Sequence, residues 1–448
     1  MATALIVLAA GKGTRMKSDL PKVLHEVANA PLYAHALQVA GEIDIAKTII
    51  VAGHGAAQVE ASAAIHAPFA EIVTQSEQLG TGHAVLTARD ALAGFDGDAI
   101  VLYGDTPFIR PKTLARMQDA RRDGADVVVL GFEAADPGRY GRLVVEGNAL
   151  TRIVEYKDAS DVERAIRLCN SGVICASCEN LFDLLDATNN DNAAGEYYLT
   201  DIVGIAVSKG QKARVVTCDE AETLGVNSRT ELAQAEGIFQ ARKRAEALEN
   251  GVTMQAPESV FFSLDTHIGR DAFIEPNVVF GPGVTVETGA RIRAFSHLED
   301  CHVSRDAQVG PYARLRPGAE LAEGAKVGNF VEVKNAQVGP GAKVNHLTYI
   351  GDATIGERAN IGAGTVTCNY DGVSKHHTEI GADSFIGSDT MLVAPVKIGK
   401  GAMTATGSVV TRDVPDGAMA IGRAKLEIKE GFWTQMFEKL KQKKKKAT

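Results

Sequence analysis

The feature that most restricts the fold of this sequence is an aliphatic residue that returns at every sixth position, with three single-residue slips, through most of the second half. A helix repeats every 3.6 residues and a flat strand every two, so neither explains this period. A triangular coil of strands does, because each flat face takes one repeat and turns its aliphatic side chain inward, and three faces close one turn. The period predicts a left-handed parallel β-helix with a core of Ile268, Ile274, Phe280, Val286, Ile292, Leu298, Val303, Val309, Leu315, Leu321, Val327, Val333, Val338, Val344, Ile350, Ile355, Ile361, Ile380, Ile386, Leu392, Ile398, Thr404 and Val410.

The period has one long interruption. Between Cys368 and Glu379 the inward series cannot be followed, and we expect this stretch to project from the coil as a loop. Elsewhere glycine follows many of the inward residues, as at Gly310 and Gly328, which suits the tight corners of such a coil.

The first half of the chain has a different rhythm. Short apolar runs at 5–8, 48–51, 99–103 and 127–131 alternate with amphipathic stretches of helical period. Such alternation is typical of an α/β domain with a Rossmann-like, mainly parallel sheet. Ligands of these sheets bind at the carboxyl ends of the strands, so the candidate site residues of this half are expected there.

These rhythms predict four segments. Residues 1–227 form the α/β domain, residues 228–250 a connector helix, residues 251–430 the coil, and residues 431–448 a C-terminal helix with a basic tail. The connector helix opens with the sequence SRTE, which has the spacing of a capping box.

Composition limits the class of protein. The chain has 448 residues, 45 % of them apolar, and its net charge of −9 argues against general nucleic-acid binding. It opens on a strand-like run without the basic start of a signal peptide, and no apolar run reaches membrane-spanning length, so we expect a cytoplasmic protein. One region departs from the net acidity of the chain, since lysines stand at 439, 441 and 443–446. We interpret this run as a solvated, frayed tail, and contact with RNA or anionic lipid is the alternative.

The six cysteines are scattered through the sequence. Cys175 and Cys178 share a C-x-x-C spacing, but no second pair follows at the spacing of a zinc ribbon. We therefore expect buried, unreactive thiols rather than disulfides or a metal centre.

A glycine-rich turn follows the first predicted strand. Residues 8–16 read LAAGKGTRM, in which the glycines let backbone N–H groups approach phosphate oxygens while Lys12 and Arg15 add positive charge. The run lacks the pattern of a Walker loop, and Met16 stands where a Rossmann fingerprint has its third glycine. Alone, such a turn is as often structural as phosphate-binding.

The motifs that accompany this turn are more specific. With LPKVL at 20–24, QSEQLGTG at 75–82 and LYGDTP at 102–107, it resembles the signature of sugar-phosphate nucleotidyltransferases. Later motifs of the same signature are YG at 140–141, IVEYK at 153–157, NSG at 170–172 and GVN at 225–227. The resemblance implies transfer of a nucleotidyl group from a nucleoside triphosphate to a sugar 1-phosphate, with release of pyrophosphate.

The resemblance also assigns roles to residues. Asp105 would share one Mg²⁺ with Asn227, since hard carboxylate and amide oxygens suit that ion. Arg15 and Lys22 would offset phosphate charge, and Gln75 would read a uracil ring, which favours UTP. The remaining implied contacts of the nucleotide and sugar are Leu8, Ala9, Ala10, Gly11, Gly80, Thr81, Tyr103, Gly104, Gly141, Glu155 and Asn170.

Motifs within the coil extend the resemblance to nearly the whole chain. They are LRPGA at 315–319, GNFVEVK at 328–334, NHLTY at 345–349, NIGA at 360–363, NYDG at 369–372 and FIGS at 385–388. With the first half, they resemble the bifunctional N-acetylglucosamine-1-phosphate uridyltransferase / glucosamine-1-phosphate acetyltransferase family. That family implies acetylation of glucosamine 1-phosphate by acetyl-CoA, then uridylylation to UDP-N-acetylglucosamine, a bacterial cell-wall precursor. It also implies a homotrimer with acetyl-transfer sites between subunits.

His346 is the expected catalytic base of the coil. It stands two residues beyond the inward Val344, so it is not obliged to face the core, and a neutral imidazole can take a proton from an attacking amine. Arg316 and Lys334 are the natural clamp for a sugar phosphate. The further contacts that the resemblance implies are, for the sugar, Tyr349 and Asn360 and, for acetyl-CoA, Ala363, Asn369, Tyr370, Ser388, Thr406 and Arg423.

Two other functions fit parts of the sequence. The coil would also suit an allosteric or assembly module of a one-activity nucleotidyltransferase, such as a relative of glucose-1-phosphate adenylyltransferase. His297 and His302 have the spacing of a zinc-binding pair in β-helical carbonic anhydrases, but each precedes an inward residue, and His267 lies one register step further back than a third ligand would need. We therefore expect surface histidines there.

Overall fold

The computed structural model describes residues 2–147 and 149–447, without the side chains of residues 446 and 447. The chain divides into two compact units. The first extends to Lys243 and includes Phe262–Leu264, and the second comprises Arg244–Phe261 and the residues from Asp265 onward.

The first unit is built around a mainly parallel sheet, whose central strands are apolar along their length and buried on both faces. Leu168–Ser177 runs antiparallel to both of its neighbours, and the hairpin of Arg142–Glu146 with Ala149–Val154 extends the sheet beside it. The predicted Rossmann-like α/β fold is confirmed. On one side of Leu168–Ser177 lie Val127–Glu133 and then the edge strand Ala213–Cys218. On its other side lie, in order, Gly97–Tyr103, Ala2–Ala9, Lys47–Ala52 and Glu71–Thr74.

Helices and short turns connect these strands. The helices are Leu32–Leu37, Val39–Glu42, Ala56–His66, Thr81–Leu86, Pro111–Arg122, Asp161–Arg164, Cys178–Leu185 and Asp201–Ser208. Turns of 3-10 helix cover Thr14–Met16, Lys22–Leu24, Asp90–Leu92 and Glu220–Glu222, and a small antiparallel pair joins Glu26–Val27 to Ala30–Pro31. The N–H of Gly104 donates to the carbonyl of Leu8 at 2.9 Å, so the carboxyl ends of two central strands open at one edge.

A long helix, Arg229–Glu249, begins in the first unit and ends in the second. The hydroxyl of Ser228 accepts the N–H of Glu231 at 3.3 Å, as the capping sequence predicts. The carboxylate of Glu231 does not complete a capping box; it accepts the N–H of Asn227 at 2.7 Å instead. The start of this helix therefore fixes the position of Asn227.

The second unit is a parallel β-helix with three faces. Strands on neighbouring coils pair in parallel, as Ile274 with Ile292 and Ile292 with Val309, and residues at equivalent places lie 17 or 18 positions apart. Ile268 in the first coil is half-buried and the rest of the inward series is buried. The left-handed β-helix predicted from the period is confirmed.

The strands of this unit are short because each spans one flat face between two corners. After Thr253–Met254 and the 3-10 turn Pro257–Ser259, they are His267–Ile268, Phe273–Ile274, Val279–Phe280, Val284–Val286, Arg291–Ile292, His297–Leu298, Cys301–Val303, Gln308–Val309, Arg314–Leu315, Ala319–Leu321, Lys326–Asn329, Glu332–Val338, Lys343–His346, Tyr349–Ile355, Asn360–Ile361, Val366–Cys368, Thr378–Ile380, Phe385–Ile386, Met391–Val393, Val396–Ile398, Met403–Thr404, Val409–Val410 and Met419–Ala420.

The interruption of the period is a projecting loop. Tyr370 and Lys375 face each other across an antiparallel bridge, and Val373 at the tip is 89 % exposed. The coil resumes at Thr378–Ile380, which pairs with the strand Tyr349–Ile355 of the preceding coil. The extra residues therefore leave the coil without disturbing its stacking.

The last described element is the helix Phe432–Ala447. It contains the lysine run, so the prediction of a frayed tail is wrong for the described part of the run, whose backbone is helical. Within residues 2–147 and 149–447, none of the helices is both long enough and apolar enough to cross a membrane.

Candidate active sites

Three polar side chains of the first unit converge at the carboxyl edge of its sheet. Asp105 follows the strand Gly97–Tyr103. Its backbone carbonyl accepts the N–H of Val226 at 2.9 Å, and this bond holds the neighbouring Asn227 close by. The ammonium of Lys22 contacts the carboxylate of Asp105 and donates to Oδ1 of Asn227 at 3.0 Å. One carboxylate and one amide oxygen thus face a single positive group.

The same two oxygens fit a magnesium ion. Mg²⁺ usually takes one or two protein carboxylates and fills the rest of its octahedral shell with waters and phosphate oxygens. Asp105 and Asn227 supply hard oxygens, and the ammonium of Lys22 lies where a cation between them would be held. In the described part of the chain, no group of three or more His, Cys, Asp and Glu side chains can hold a metal, so substrate oxygens would have to complete the shell.

A cavity of about 630 Å³ opens beside these residues, a size that suits a nucleotide. Its wall also contains polar residues that the sequence analysis missed, among them Gln78, whose amide donates to the carbonyl of Ala10 at 3.0 Å, and Glu196. Neither stands out in the sequence, since each becomes part of the wall only through folding. The predicted contacts that line the cavity are Leu8, Ala10, Gly11, Lys22, Gln75, Gly80, Thr81, Tyr103, Asp105 and Asn227.

Gln75 forms a rigid part of this wall. Its side chain is 4 % exposed, and its amide nitrogen donates to the carbonyl of Gly80 at 3.2 Å and lies 2.9 Å from Nδ1 of His83. Gly80 has a φ of +113°, and a Cβ there would lie 2.6 Å from the carbonyl oxygen of Tyr197. Only glycine allows this close approach, and the carbonyl of the same residue holds the Gln75 amide in place.

The three predicted sugar contacts adjoin one another. The N–H of Asn170 donates to the carbonyl of Gly141 at 2.8 Å, and a Cβ on Gly141 would lie 3.4 Å from Oε1 of Glu155. Burial raises the pKa of the Glu155 carboxyl, while the hydroxyl of Thr200 donates to it at 3.1 Å. A partly buried carboxylate of this kind can accept hydrogen bonds from sugar hydroxyls.

Tyr103 connects this sugar group to the metal-site residues. Burial raises the pKa of its phenol, and the charges of Glu155 and Asp105 add to the effect, so the hydroxyl stays protonated. Gly172 lies against the ring with a φ of +88°, and a Cβ there would be 2.5 Å from a ring carbon. The glycine of the NSG motif is therefore required to seat Tyr103.

The three predicted sugar contacts do not line the cavity wall, and three further predicted contacts, Ala9, Arg15 and Gly104, also lie outside it. Arg15 is exposed, so its phosphate contact stays a prediction. Ala9 is 1 % exposed within the first strand. Gly104 packs closely, since a Cβ there would lie 3.2 Å from the carbonyl oxygen of Leu8 and 3.3 Å from the side chain of Tyr33. Ala9 and Gly104 thus support the cavity from behind.

In the second unit, His346 is exposed at the end of the strand Lys343–His346. Its Nδ1 donates to Oδ1 of Asn329, one coil earlier, at 2.7 Å. A histidine that donates from Nδ1 keeps a lone pair on Nε2, where it can accept a proton. Asn329 was not predicted from the sequence. The feature that could have identified it is its separation from His346 by 17 residues, the length of one coil.

A third cation, Lys375, lies near the two cations of the predicted phosphate clamp, Arg316 and Lys334. Nη1 of Arg316 donates to the carboxylate of Glu332 at 2.8 Å. The pKa of Lys334 is lowered, first by contact with Lys375 on the projecting loop, and Arg316 contributes to the same effect. Lys375 is a cation that the sequence analysis missed, because only the fold of the loop brings it to the clamp.

Tyr349 and Asn369 meet over Gly351, where a Cβ would overlap the hydroxyl of Tyr349. The amide of Asn369 contacts the carboxylate of Asp352, which also accepts from Asn335 at 2.6 Å. Burial acts to raise the pKa of Asp352, but these two hydrogen bonds and nearby lysines outweigh it and lower the pKa. A stable carboxylate therefore ties the loop to the coil.

Four of the six predicted acetyl-CoA contacts follow one another along one corner of the coil, namely Ala363, Ser388, Thr406 and Arg423. The carbonyls of Ala363 and Ser388 accept backbone N–H groups of the coil that follows each, at 2.7 and 2.8 Å. Nη1 of Arg423 donates to the carbonyl of Thr406 at 2.6 Å and continues this series. Tyr370 lies apart on the loop, 61 % exposed.

The predicted acetyl-transfer residues lie on two faces of the coil. His346 and Asn360 belong to strands of one sheet, in which Asn360 pairs with Lys343. Tyr349 lies on the next face, beyond a corner at Leu347 that has a φ of +50°. We expected His346 to lie between the clamp and both sugar contacts; within this chain it is separated from Tyr349 by the corner.

The histidines of the alternative zinc site have different surroundings. Nε2 of His302 lies 2.9 Å from the carboxylate of Glu287, and Nδ1 lies 3.5 Å from that of Glu320. His297 is exposed and pairs in register with Arg314 on the next coil. His302 is thus paired with two carboxylates rather than with further histidines.

The cysteines are free thiols, and none of the six forms a disulfide in the described residues. Burial raises the pKa of Cys178 to about 11 and that of Cys301 to about 12. These thiols stay protonated near neutral pH and are poor nucleophiles.

Comparisons with known proteins place both units. The MobA-like NTP transferase domain family matches residues 5–188, the bacterial transferase hexapeptide (six repeats) matches residues 265–299, and the hexapeptide repeat of succinyl-transferase matches residues 378–412. The bifunctional protein GlmU of Roseobacter denitrificans is 64 % identical over 446 residues, covering 100 % of this chain and 99 % of that protein. Those of Jannaschia sp. and Dinoroseobacter shibae are 63 % and 65 % identical, covering 98 % and 96 % of this chain and 96 % of each protein. The chain therefore belongs to the GlmU family of bifunctional proteins, as its motifs predicted.

Proposed function

We propose that the chain makes UDP-N-acetylglucosamine by two reactions, one in each unit. The second unit acetylates glucosamine 1-phosphate with acetyl-CoA, and the first transfers a uridylyl group from UTP to N-acetylglucosamine 1-phosphate, releasing pyrophosphate. The observation that carries this proposal is the presence of two separate sets of polar groups, which are a nucleotide-sized cavity in one unit and a histidine with a predicted phosphate clamp in the other. The product would supply cell-wall and lipopolysaccharide synthesis in the cytoplasm.

Uridylyl transfer depends on alignment and charge neutralisation. A phosphate oxygen of the sugar phosphate attacks the α-phosphorus of UTP, the P–O bond to pyrophosphate breaks, and no protein nucleophile is needed. Lys22 would offset charge on the phosphates, while Gln75 reads the uracil and Glu155 with Asn170 holds the sugar. Mg²⁺, held by Asp105 and Asn227, would supply further charge neutralisation.

Acetyl transfer depends on a proton acceptor next to a held sugar. The clamp of Arg316, Lys334 and Lys375 would bind the phosphate of the sugar. The amine of the bound sugar is then free to attack the thioester carbonyl. Nε2 of His346 takes the amine proton as the C–N bond forms. The C–S bond then breaks, and coenzyme A leaves as a thiol with the proton returned by the imidazolium. Asn329 keeps Nε2 free for this work by accepting from Nδ1.

A second copy of the chain would complete the acetyl-transfer site. The exposed rings of Phe295, Tyr312 and Phe330 stack along one corner with centroids 4.9 and 5.3 Å apart, and Leu347, 63 % exposed, continues the ridge. A contiguous exposed apolar ridge favours a protein interface. This one ends beside His346, where the predicted site divides between two faces. We infer a homotrimer in which neighbouring copies cover the ridge and bring those faces together.

The two activities are tested on the full chain. Glucosamine 1-phosphate with acetyl-CoA is expected to release a free thiol, and N-acetylglucosamine 1-phosphate with UTP to release pyrophosphate. A preference for ATP over UTP would contradict the assignment of Gln75 to uracil. Absence of thiol release would contradict the second reaction.

The proposed trimer is tested by light scattering. The full chain is expected to be trimeric, and Tyr312→Ser is expected to dissociate it and lower acetyl transfer without affecting uridylyl transfer. A monomer with full acetyl transfer would show that one copy is sufficient.

A further inference from the structure

The helix Phe432–Ala447 exposes an unusual amount of apolar surface. One exposed apolar side chain is ordinary, but several within a few turns need a partner. The side chains are Phe432, 56 % exposed, Trp433, 63 %, Met436, 41 %, Phe437, 44 %, and Leu440, 48 %. Every residue from 421 to 445 is classed as exposed, so the second unit does not bury this part of its own chain.

These side chains form one stripe. Phe432, Met436 and Leu440 are spaced by four, and Trp433 and Phe437 form a parallel row beside them, so all five lie on one side of the helix. The rings of Trp433 and Phe437 stack with their centroids 5.7 Å apart. The stripe occupies the first half of the helix.

The rest of the helix is strongly basic. Six lysines between 439 and 446 stand against the single acidic residue Glu438, in a chain whose net charge is −9. Lys441 donates to Glu438 at 3.2 Å, and its ammonium lies 4.7 Å from the centre of the Phe437 ring. A lysine stem thus lies along the edge of the apolar stripe, the arrangement by which lysines keep their charge in water beside buried surface.

We propose that this helix binds the surface of an anionic membrane. The apolar stripe would lie among the acyl chains near the headgroups, and the lysines would contact lipid phosphates. Charge complementarity selects this occupant. RNA would match the lysines and could stack on the aromatic rings, but it would leave Met436 and Leu440 in water, and pairing with the same helix of a second copy would bring two lysine clusters together. The inference uses only this helix and does not depend on the proposed function.

The chain contains a single tryptophan, Trp433, so its fluorescence reports directly on the helix. The full chain is mixed with vesicles of phosphatidylcholine, either alone or with phosphatidylglycerol, at low and high salt. With the anionic vesicles at low salt we expect a blue shift of the emission and flotation of the protein with the vesicles. High salt or pure phosphatidylcholine is expected to abolish most of both.

Two variants separate the contributions of charge and apolar surface. Changing Lys439, Lys443 and Lys445 to glutamine is expected to lower partitioning on the order of a hundredfold, since each lysine near an anionic surface contributes a factor of roughly five. Changing Phe437 and Leu440 to serine is expected to lower it by about tenfold or more. Both variants should keep wild-type transfer rates. Ile65→Ser, at a site that is 76 % exposed on another helix, is the matched control and should bind like wild type.

Three outcomes would overturn the proposal. An emission maximum already blue-shifted without vesicles, and red-shifted on dilution, would show that another copy covers the stripe. Binding to single-stranded poly(U) RNA without flotation would show that the lysines serve a nucleic acid. Equal flotation of wild type and both helix variants would place any membrane contact elsewhere in the chain.

Discussion

Replacing His346 by alanine removes the proposed proton acceptor of acetyl transfer. A positioned general base typically contributes about a hundred- to ten-thousand-fold in rate, or roughly 3–5.5 kcal/mol of barrier. We expect kcat to fall by that factor. The KM for the sugar is expected to change little, because binding depends on the cations around Lys334 rather than on the imidazole.

Asn329 gives a graded version of the same test. Its bond to Nδ1 is 2.7 Å long, and a hydrogen bond of this kind contributes a net stabilisation of about 0.5–1.5 kcal/mol, a factor of roughly two to thirteen. Asn329→Ala is therefore expected to lower kcat by about fivefold, since the ring loses its orientation and its preferred tautomer. In a chain that already carries His346→Ala, the same change is expected to have no further effect, because Asn329 acts through the imidazole.

The assay follows thiol release from acetyl-CoA at saturating substrates for the wild type, both single variants and the double variant. Pyrophosphate release by the first unit, measured on the same samples, controls for folding, and His297→Ala is a control for loss of an exposed histidine on the same coil. Near-normal kcat in folded His346→Ala would refute the base assignment. Multiplied effects of the two changes in the double variant would show that Asn329 acts independently of His346.

Three further changes test other parts of the two sites. Asp105→Ala is expected to abolish uridylyl transfer and spare acetyl transfer; a comparable loss of both activities in folded protein would contradict separate sites. Gly172→Ala adds about 1–2 kcal/mol of left-handed backbone strain and places a Cβ 2.5 Å from the Tyr103 ring. We therefore expect a lower Tm and at least about tenfold slower uridylyl transfer. A normal Tm together with a normal transfer rate would exclude the clash. Lys375→Gln removes the neighbour that lowers the pKa of Lys334; because a lysine binds phosphate only below its pKa, the rise of the sugar KM at alkaline pH should move to higher pH, and an unmoved profile would show that the lysines are not coupled.

The fold was predictable because both of its units are specified by local periodicity. An inward aliphatic residue at every sixth position leaves few alternatives to a three-faced coil, since any other arrangement would expose the series. The apolar strands of the first half carry a similar constraint through their alternation with helices. The motifs that end those strands, such as the one at Asp105, therefore appear together at one edge of the sheet.

Several contacts of the sites were not predicted, because they depend on how distant segments meet in the fold. Asn329 lies next to His346 only through the stacking of coils that are 17 or 18 residues long. Lys375 reaches the clamp through the shape of a loop that has no period. The carboxylate of Glu231 was expected to cap its own helix, but it holds the N–H of Asn227 instead and so positions a candidate metal ligand.

The side chains at one corner of the coil change in size along its length, although the backbone conformation at that corner stays the same. Residues at this corner have positive φ values on successive coils, from Phe295, Tyr312 and Phe330 through Leu347 to Gly364. The bulky side chains of the earlier coils build the ridge proposed to contact another copy. From Gly364 onward the corner has no bulky apolar side chain, since its next residues are Asp389 and Gly407, beside the predicted acetyl-CoA contacts Ser388 and Thr406. His346 directly precedes the last bulky corner residue, so the proposed base lies where a protein neighbour would end and a cofactor would begin. The repeat thus fixes the backbone geometry, and the size of one side chain per coil decides what that geometry can bind.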